Sequence, residues 1–115
     1  MINDFTQYAI YIMPGHTDMR KQINGLSAIA ENEMTNDVFS QSLFLFCNRS
    51  RTHLKILYWD RNGFCLWVKR LEQHKFPWPK EESDYKTIDY EELKMILKGI
   101  DFFNAHVNLK NFKVS

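Results

Sequence analysis

The chain has 115 residues, which matches one domain of the usual size of about 100–150 residues and leaves no room for separate catalytic and regulatory domains. Hydrophobic residues make up 44% of it and charged residues 25%, so the composition excludes wholesale disorder, and the net charge of +1 names no partner by itself. No run approaches the roughly 18 apolar residues that a membrane span needs, and the N-terminus lacks the pattern of a secretory signal. We therefore expect a cytoplasmic protein with no membrane partner.

The first half of the chain predicts a strand, a helix and a second strand. Residues 9–13 form a short apolar run, which the turn residues 14–15 end. Thr17 or Asp18 can cap a helix. Its apolar face is predicted by residues that recur at spacings of three and four, namely Met19, Ile23, Leu26, Ile29 and Ala30. The continuous apolar run 43–47 is typical of a central strand that is covered on both faces.

The middle of the chain predicts a β-hairpin. Residues 54–59 and 64–71 are rich in aromatic and aliphatic side chains, and they flank the dipeptide Asn62-Gly63. Asn-Gly readily adopts the positive φ values of a tight hairpin turn. The following segment 76–79 contains two prolines, so we expect it to be extended.

A second helix is predicted near the end of the chain. Asp89 and Glu92 have the spacing of a capping box, and Ile88 and Leu93 that of a hydrophobic staple. Gly99 is suited to ending the helix. The sequence therefore predicts one α+β domain, a mostly antiparallel sheet with two helices packed on it, over residues 1–101. Residues 102–115 have no clear pattern, and we expect a tail that is docked or partly disordered.

Charge is strongly segregated along the chain. Residues 49–80 hold eight basic residues against two acidic ones, a net charge of +6, together with all three tryptophans. A basic segment interleaved with aromatic residues is typical of nucleic-acid binders. The alternative is a solvated hairpin whose lysines discourage aggregation between sheet edges.

A row of cations is expected at the start of this segment. In extended backbone, residues two apart share a face, so Arg49, Arg51, His53 and Lys55 would project together, away from the core. We predict one positive surface that contacts DNA phosphates, to which residues further along the hairpin add charge. The predicted DNA-binding residues are Arg49, Arg51, Lys55, Arg61, Lys69, Arg70 and Lys75.

Metal and nucleophile chemistry is poorly supported. Cys47 and Cys65 lie eighteen positions apart and the four histidines are scattered, which does not match the paired spacing of a zinc site. Both cysteines lie in or beside apolar runs, so we expect two buried free thiols. No cofactor and no metal are expected.

Three carboxylates raise the alternative of a small metal-dependent nuclease. Asp18, Asp60 and Glu72 could in principle hold divalent metal for phosphodiester chemistry. Each also has a local explanation, since Asp18 can cap a helix, Asp60 begins a turn, and Glu72 follows two cations. We therefore expect no catalytic residues.

Several motifs resemble a known family. The N-terminal motif spans residues 15–21 and 25–26, and the C-terminal motif spans residues 93–101. The central motif is formed by residues 43–46, 48–49, 55–60, 63–67, 69–72 and 76–79. Together they resemble the TnpB-like accessory protein, the product of the second open reading frame, of insertion-sequence-66-type bacterial transposons. The resemblance extends over roughly residues 8 to 101, in order and without large gaps.

The resemblance implies a bacterial mobile-element protein that transposition needs alongside a separate, larger transposase. It implies no defined biochemical activity. We therefore expect a non-catalytic accessory protein that binds DNA (transposon ends or non-specific duplex), the transposase, or both. A pure protein–protein adaptor that touches no DNA is the remaining alternative.

Overall fold

A five-stranded sheet organises the fold in a computed structural model, which describes residues 4–35, 37–84 and 86–103. In chain order the elements are β1 (Ala9–Ile12), α1 (Ile23–Ile29) with a π-helical turn (Ala30–Met34), β2 (Ser42–Cys47), β3 (His53–Asp60), β4 (Gly63–Arg70), β5 (Thr87–Ile88) and α2 (Tyr90–Lys98). The strand order across the sheet is β4-β3-β2-β1-β5. Of its four strand pairs, β1–β2 is parallel and the other three are antiparallel. The predicted α+β fold class is confirmed.

Strand β2 lies in the middle of the sheet and is buried on both faces, as its continuous apolar run predicts. Phe44 and Phe46 face a core that Leu26 of α1 helps to fill. Leu43 and Leu45 face a second core on the opposite side of the sheet, which contains Leu93 and Ile96 of α2 together with Phe76 and Trp78. One helix therefore covers each face of the sheet.

Strands β3 and β4 form the predicted hairpin, with a continuous register from Asp60 opposite Gly63 to His53 opposite Arg70. The backbone of the turn differs from the prediction. The positive φ, +56°, lies at Arg61, whereas Asn62 and Gly63 have negative φ. The Asn62 N–H donates to the Asp60 carbonyl across Arg61, so Arg61 alone takes the left-handed conformation and Gly63 joins the strand.

Helix α1 begins later than the sequence predicts, and the predicted cap is wrong. The helix starts at Ile23, and Gln22 precedes it without a side-chain cap. Asp18 instead accepts hydrogen bonds from the Arg20 backbone N at 2.9 Å and from the Arg20 guanidinium at 2.7 Å. Thr17 is buried, and its N–H donates to the Cys47 carbonyl at 2.8 Å. The Asp18 carboxylate is thus hydrogen-bonded within a short turn that precedes the helix, and it does not cap the helix. The predicted apolar face packs on the core.

Helix α2 has the ends that the sequence predicts. The Glu92 N–H donates to the Asp89 carboxylate at 2.7 Å, and the Asp89 N–H donates to the Glu92 carboxylate at 2.9 Å. Gly99 ends the helix with a φ of +81°. Ile88 and Leu93 are buried in the same core. Strand β5 directly precedes the cap and was not predicted, because its two residues offer no pattern of their own.

The two cysteines differ in burial. Cys47 is fully buried, and this burial raises the pKa of its thiol to about 12. Cys65 on β4 is only half-buried, so the prediction of two buried thiols holds for Cys47 alone.

Packing continues beyond residue 101, since Phe103 is buried in the core that contains α2. Most of the predicted tail, residues 104–115, lies outside the described residues. Within the part of the chain that the structure describes, no helix is long and apolar enough to cross a membrane.

Candidate nucleic-acid interface

The turn between β2 and β3 presents two arginines on a well-fixed backbone. The Asn48 side-chain oxygen accepts hydrogen bonds from the Thr52 N–H at 2.9 Å and from the His53 N–H at 3.0 Å. The Arg51 N–H donates to the Asn48 carbonyl at 3.1 Å, and Arg51 itself has a φ of +61°. The side chains of Arg49 and Arg51 are exposed at the tip of this turn. Their spacing is therefore set by the hydrogen bonds of Asn48.

The proline-rich segment 76–79 packs beside this turn. The Phe76 N–H donates to the Arg51 carbonyl at 2.7 Å, and the Gly15 N–H donates to the Pro79 carbonyl at 2.9 Å. The Trp78 indole N–H donates to the Met13 carbonyl at 2.9 Å. An open cleft of about 430 Å³ results, lined by Gly15, His16, Asn48, Arg49, Arg51, Trp78, Pro79, Lys80, Glu81 and Glu82.

Gly15 allows the close approach at the wall of this cleft. Its φ is +76°, which glycine adopts without strain. A Cβ atom at this position would lie 2.8 Å from the Glu81 Cβ. The cleft therefore depends on glycine both for the backbone conformation and for space.

Five exposed cations lie at this end of the sheet, which we call the basic end: Arg49, Arg51, Arg70, Lys75 and Lys80. Arg70 ends β4 opposite His53, and its guanidinium pairs with the Glu72 carboxylate at 2.7 Å. The other four make no salt bridge within the described residues. Arg49 extends toward the His16 imidazole, with 3.4 Å between its Nη2 and Nε2. The basic end therefore holds four cations that are available to an anionic ligand.

Lys55 does not belong to this surface, and the predicted row of four cations is wrong. Residues 49–51 form a turn, so they do not continue the alternation of β3. The Lys55 side chain is buried, at 6% exposure, and its ammonium donates to the Met19 and Lys21 carbonyls at 2.9 Å each. Two backbone carbonyls satisfy the charge, so Lys55 can be buried beside α1 as a structural residue.

The remaining predicted residues are dispersed. The Lys69 ammonium donates to the Leu97 carbonyl of α2 at 3.3 Å, on the sheet face opposite to Arg70. Arg61 lies at the hairpin turn, at the far end of an eight-residue strand that spans roughly 23 Å. Four of the seven predicted DNA-binding residues thus meet at the basic end, Arg49, Arg51, Arg70 and Lys75.

The three carboxylates that could support nuclease chemistry do not converge. The Arg20 guanidinium holds Asp18 in a hydrogen-bonded pair and lowers the pKa of that carboxyl to about 2. Glu72 pairs with Arg70 beyond the end of β4, whereas Asp60 lies beside the turn at the other end of the hairpin. Within the described ranges, no three His, Cys, Asp or Glu side chains are grouped to hold a metal ion.

An aromatic patch at the hairpin turn was missed by the sequence reasoning. Phe39 is 59% exposed, and its ring centroid lies 4.9 Å from that of Trp59 and 5.7 Å from that of Phe64. The Trp59 and Phe64 centroids are 5.0 Å apart, as expected for residues directly opposite each other in a hairpin. That pair could have been found from the turn position. Phe39 lies in an irregular segment and gives no such signal. We call Phe39, Trp59 and Phe64 the aromatic patch.

Comparisons with known proteins agree with the motif resemblance. The family model described as IS66 Orf2 like protein matches residues 8–107. The chain is 34% identical over 105 residues to the uncharacterized protein y4hO of Sinorhizobium fredii (strain NBRC 101917 / NGR234), and the match covers 91% of each chain. It is 28% identical over 102 residues to the uncharacterized protein y4jC of the same strain, over 89% of this chain and 87% of the relative. No solved structure matches it significantly. The chain therefore belongs to the IS66 Orf2-like family of accessory proteins in transposition.

Proposed function

We propose that the protein supports transposition without catalysing it, by binding DNA phosphates through the basic end. The observation that carries this proposal is the hydrogen-bonded turn between β2 and β3, which holds Arg49 and Arg51 exposed and without a salt bridge within the described residues. Arginine forms strong, charge-assisted hydrogen bonds with phosphate oxygens. Lys75 and Lys80 add charge from the neighbouring loop.

The carboxylates of the cleft favour a particular path for the DNA backbone. Glu81 and Glu82 line the same cleft as Arg49 and Arg51, and they repel phosphates. The proposed phosphate path therefore runs over Arg49 and Arg51 and toward Lys75, outside the cleft. Contacts of this kind give affinity and strong salt dependence without base specificity.

A salt titration tests this function. The affinity of the purified protein is measured for a transposon-end duplex and for an unrelated duplex over a series of salt concentrations. The double variant Arg49→Gln, Arg51→Asn should weaken binding to both duplexes alike and flatten the slope of log affinity against log salt by up to about 2. Asn is chosen because it tolerates the positive φ of Arg51. Unchanged affinity at low salt would contradict the proposal.

The absence of catalysis is part of the proposal, and the dispersion of Asp18, Asp60 and Glu72 supports it. Two-metal phosphodiester chemistry needs carboxylates that converge on ions roughly 4 Å apart. Asp60 is separated from Glu72 by the length of β4. We expect no magnesium-dependent cleavage of either duplex, and cleavage that disappears in Asp60→Asn would refute this part of the proposal.

We also propose that the larger transposase of the same element binds the aromatic patch. Aromatic residues are enriched at the centres of protein interfaces, and Phe39 is the most exposed large apolar side chain of the described residues. Phe39→Asp should weaken binding of the purified transposase by about tenfold or more. Ile100→Asp is the matched control, since Ile100 is 52% exposed and lies outside the patch. Equal effects of the two variants would exclude the patch as the binding surface.

A further inference from the structure

We propose that the protein binds a second copy of itself through the free edge of β4, so that two sheets join into one continuous antiparallel sheet. Strand β4 ends the strand order, and β3 is its only strand neighbour among the described residues. The inference rests on the sheet edge alone, and it does not depend on DNA binding or on the transposase.

The edge is long, regular and apolar. All eight residues of β4 pair with β3 without a bulge. Its members are half-buried or exposed, with Val68 at 50% exposure, and they include Phe64, Leu66 and Trp67. An apolar edge strand of this length is a ready template for another strand.

Most of β4 lacks the usual protection against such pairing. Natural edge strands carry proline, a bulge or charged side chains. Residues 63–68 contain none of these. The charged residues Lys69 and Arg70 stand at the end of the strand, where Lys69 donates to the Leu97 carbonyl of α2 and Arg70 pairs with Glu72. This difference from a protected edge indicates that β4 is paired in the working protein.

The hydrogen bonds of the hairpin determine which backbone groups are available. The Asn48 N–H donates to the His53 carbonyl, so the backbone groups of His53 face β2 and not β4. Its opposite residue, Arg70, therefore directs its own N–H and C=O outward. Because the direction alternates along a strand, the outward groups of β4 belong to Phe64, Leu66, Val68 and Arg70.

Side-chain chemistry selects the register of the pair. With Trp67 on the two-fold axis, Leu66 lies opposite Val68 of the second copy, and Phe64 lies opposite Arg70. Apolar groups then meet apolar groups, and a guanidinium meets an aromatic face. Two adjacent registers are also symmetric. With Leu66 on the axis, Asp60 would lie opposite Glu72, two carboxylates, and with Val68 on the axis, the apolar Leu66 would lie opposite the cation Arg70. Side-chain pairing therefore favours the register with Trp67 at the centre.

Light scattering of the full chain tests the dimer. The wild-type protein should have twice its chain mass of 13.8 kDa at micromolar concentration. Val68→Lys should be monomeric, because it places a charge opposite the apolar Leu66 of the second copy. Ile100→Lys, a matched exposed position away from the edge, should remain dimeric. Val68→Pro is a second variant, since it removes an N–H that does not bond to β3 and should therefore keep the hairpin. A monomeric wild-type protein, or a dimer that survives both Val68 variants, would overturn the proposal.

Cross-linking tests the register. In a Cys65→Ser background, Trp67→Cys should form a disulfide-linked dimer on mild oxidation, because opposite residues of a non-hydrogen-bonded pair have Cα atoms about 4.5 Å apart. Val68→Cys in the same background is the control, since its two copies would lie about 8 Å apart, too far for a disulfide. Cross-linking of Val68→Cys with equal or greater efficiency would overturn the pairing centred on Trp67.

Discussion

The two ends of the five-stranded sheet carry different chemistry, although the same hairpin connects them. The basic end presents Arg49 and Arg51 on a hydrogen-bonded turn, whereas the opposite end presents the aromatic patch beside Arg61. Asp4 and Asp60 line the cavity near Arg61. Arginines therefore occur at both ends, and the charges of the neighbouring side chains determine which of them can bind a phosphate.

Lys55 extends the comparison to the interior of the sheet. It lies two residues beyond the start of β3, close to the basic end, yet its ammonium is bound to the carbonyls of Met19 and Lys21. A cation at this end of the sheet is thus either exposed and available to a ligand or buried and hydrogen-bonded within the protein. The following variants separate these two roles.

The largest effect is expected from Lys55→Met. This variant keeps the length of the side chain but leaves two backbone carbonyls without their charged donor, so the free energy of unfolding should fall by about 2–3 kcal/mol. Urea denaturation measures it. Lys75→Met is the control, because Lys75 is exposed, and its effect should be within about 0.5 kcal/mol. Equal stabilities of the two variants would show that Lys55 is not structural.

Gly15→Ala should have the next largest effect. It should lower the free energy of unfolding by about 2 kcal/mol, because the position combines a positive φ with a close approach to Glu81. Gly99→Ala isolates the backbone contribution, since its φ is +81° and the space around it is open. For that control we expect the free energy of unfolding to fall by about 1 kcal/mol. Thermal unfolding of both variants measures the two losses of stability. Equal losses would show that Glu81 moves to make room for the added Cβ without a loss of stability.

Phe39→Ala should change stability least, by about 0.5–1 kcal/mol, because it removes aromatic pairs from a largely exposed ring. Urea denaturation is again the measurement. A loss above about 2 kcal/mol would show that the patch is part of the core and would weaken its assignment as a binding surface.

Local signals explain which parts of the fold could be predicted. Both ends of helix α2 were predicted, because each depends on neighbouring residues. Asp89 and Glu92 cap one end, and at the other end the Gly99 N–H donates to carbonyls of the last helical turn. The hairpin was predicted for the same reason. Strand β5 was missed because Thr87 and Ile88 form a strand only by pairing with Tyr11 and Ile10, far away in sequence.

The candidate site could be predicted only in part. The basic segment contains the exposed Arg49 and Arg51, but the burial of Lys55 depends on carbonyls 34 and 36 residues earlier in the chain. The positive φ of Arg51 broke the expected alternation, and nothing in the local sequence indicates it. Charge density along a sequence therefore identified the segment, while the tertiary structure determined which of its cations are exposed.

A matched pair of arginine variants tests the central claim most directly, that the basic end and not the hairpin turn binds DNA. Arg51→Asn and Arg61→Asn each remove one exposed charge from a turn residue of similar positive φ, +61° and +56°. The salt dependence of duplex binding is measured for both variants and for the wild-type protein. Arg51→Asn should flatten the slope of log affinity against log salt by about 1, and Arg61→Asn should leave it unchanged. Equal slopes for the two variants, or a larger loss in Arg61→Asn, would contradict the account.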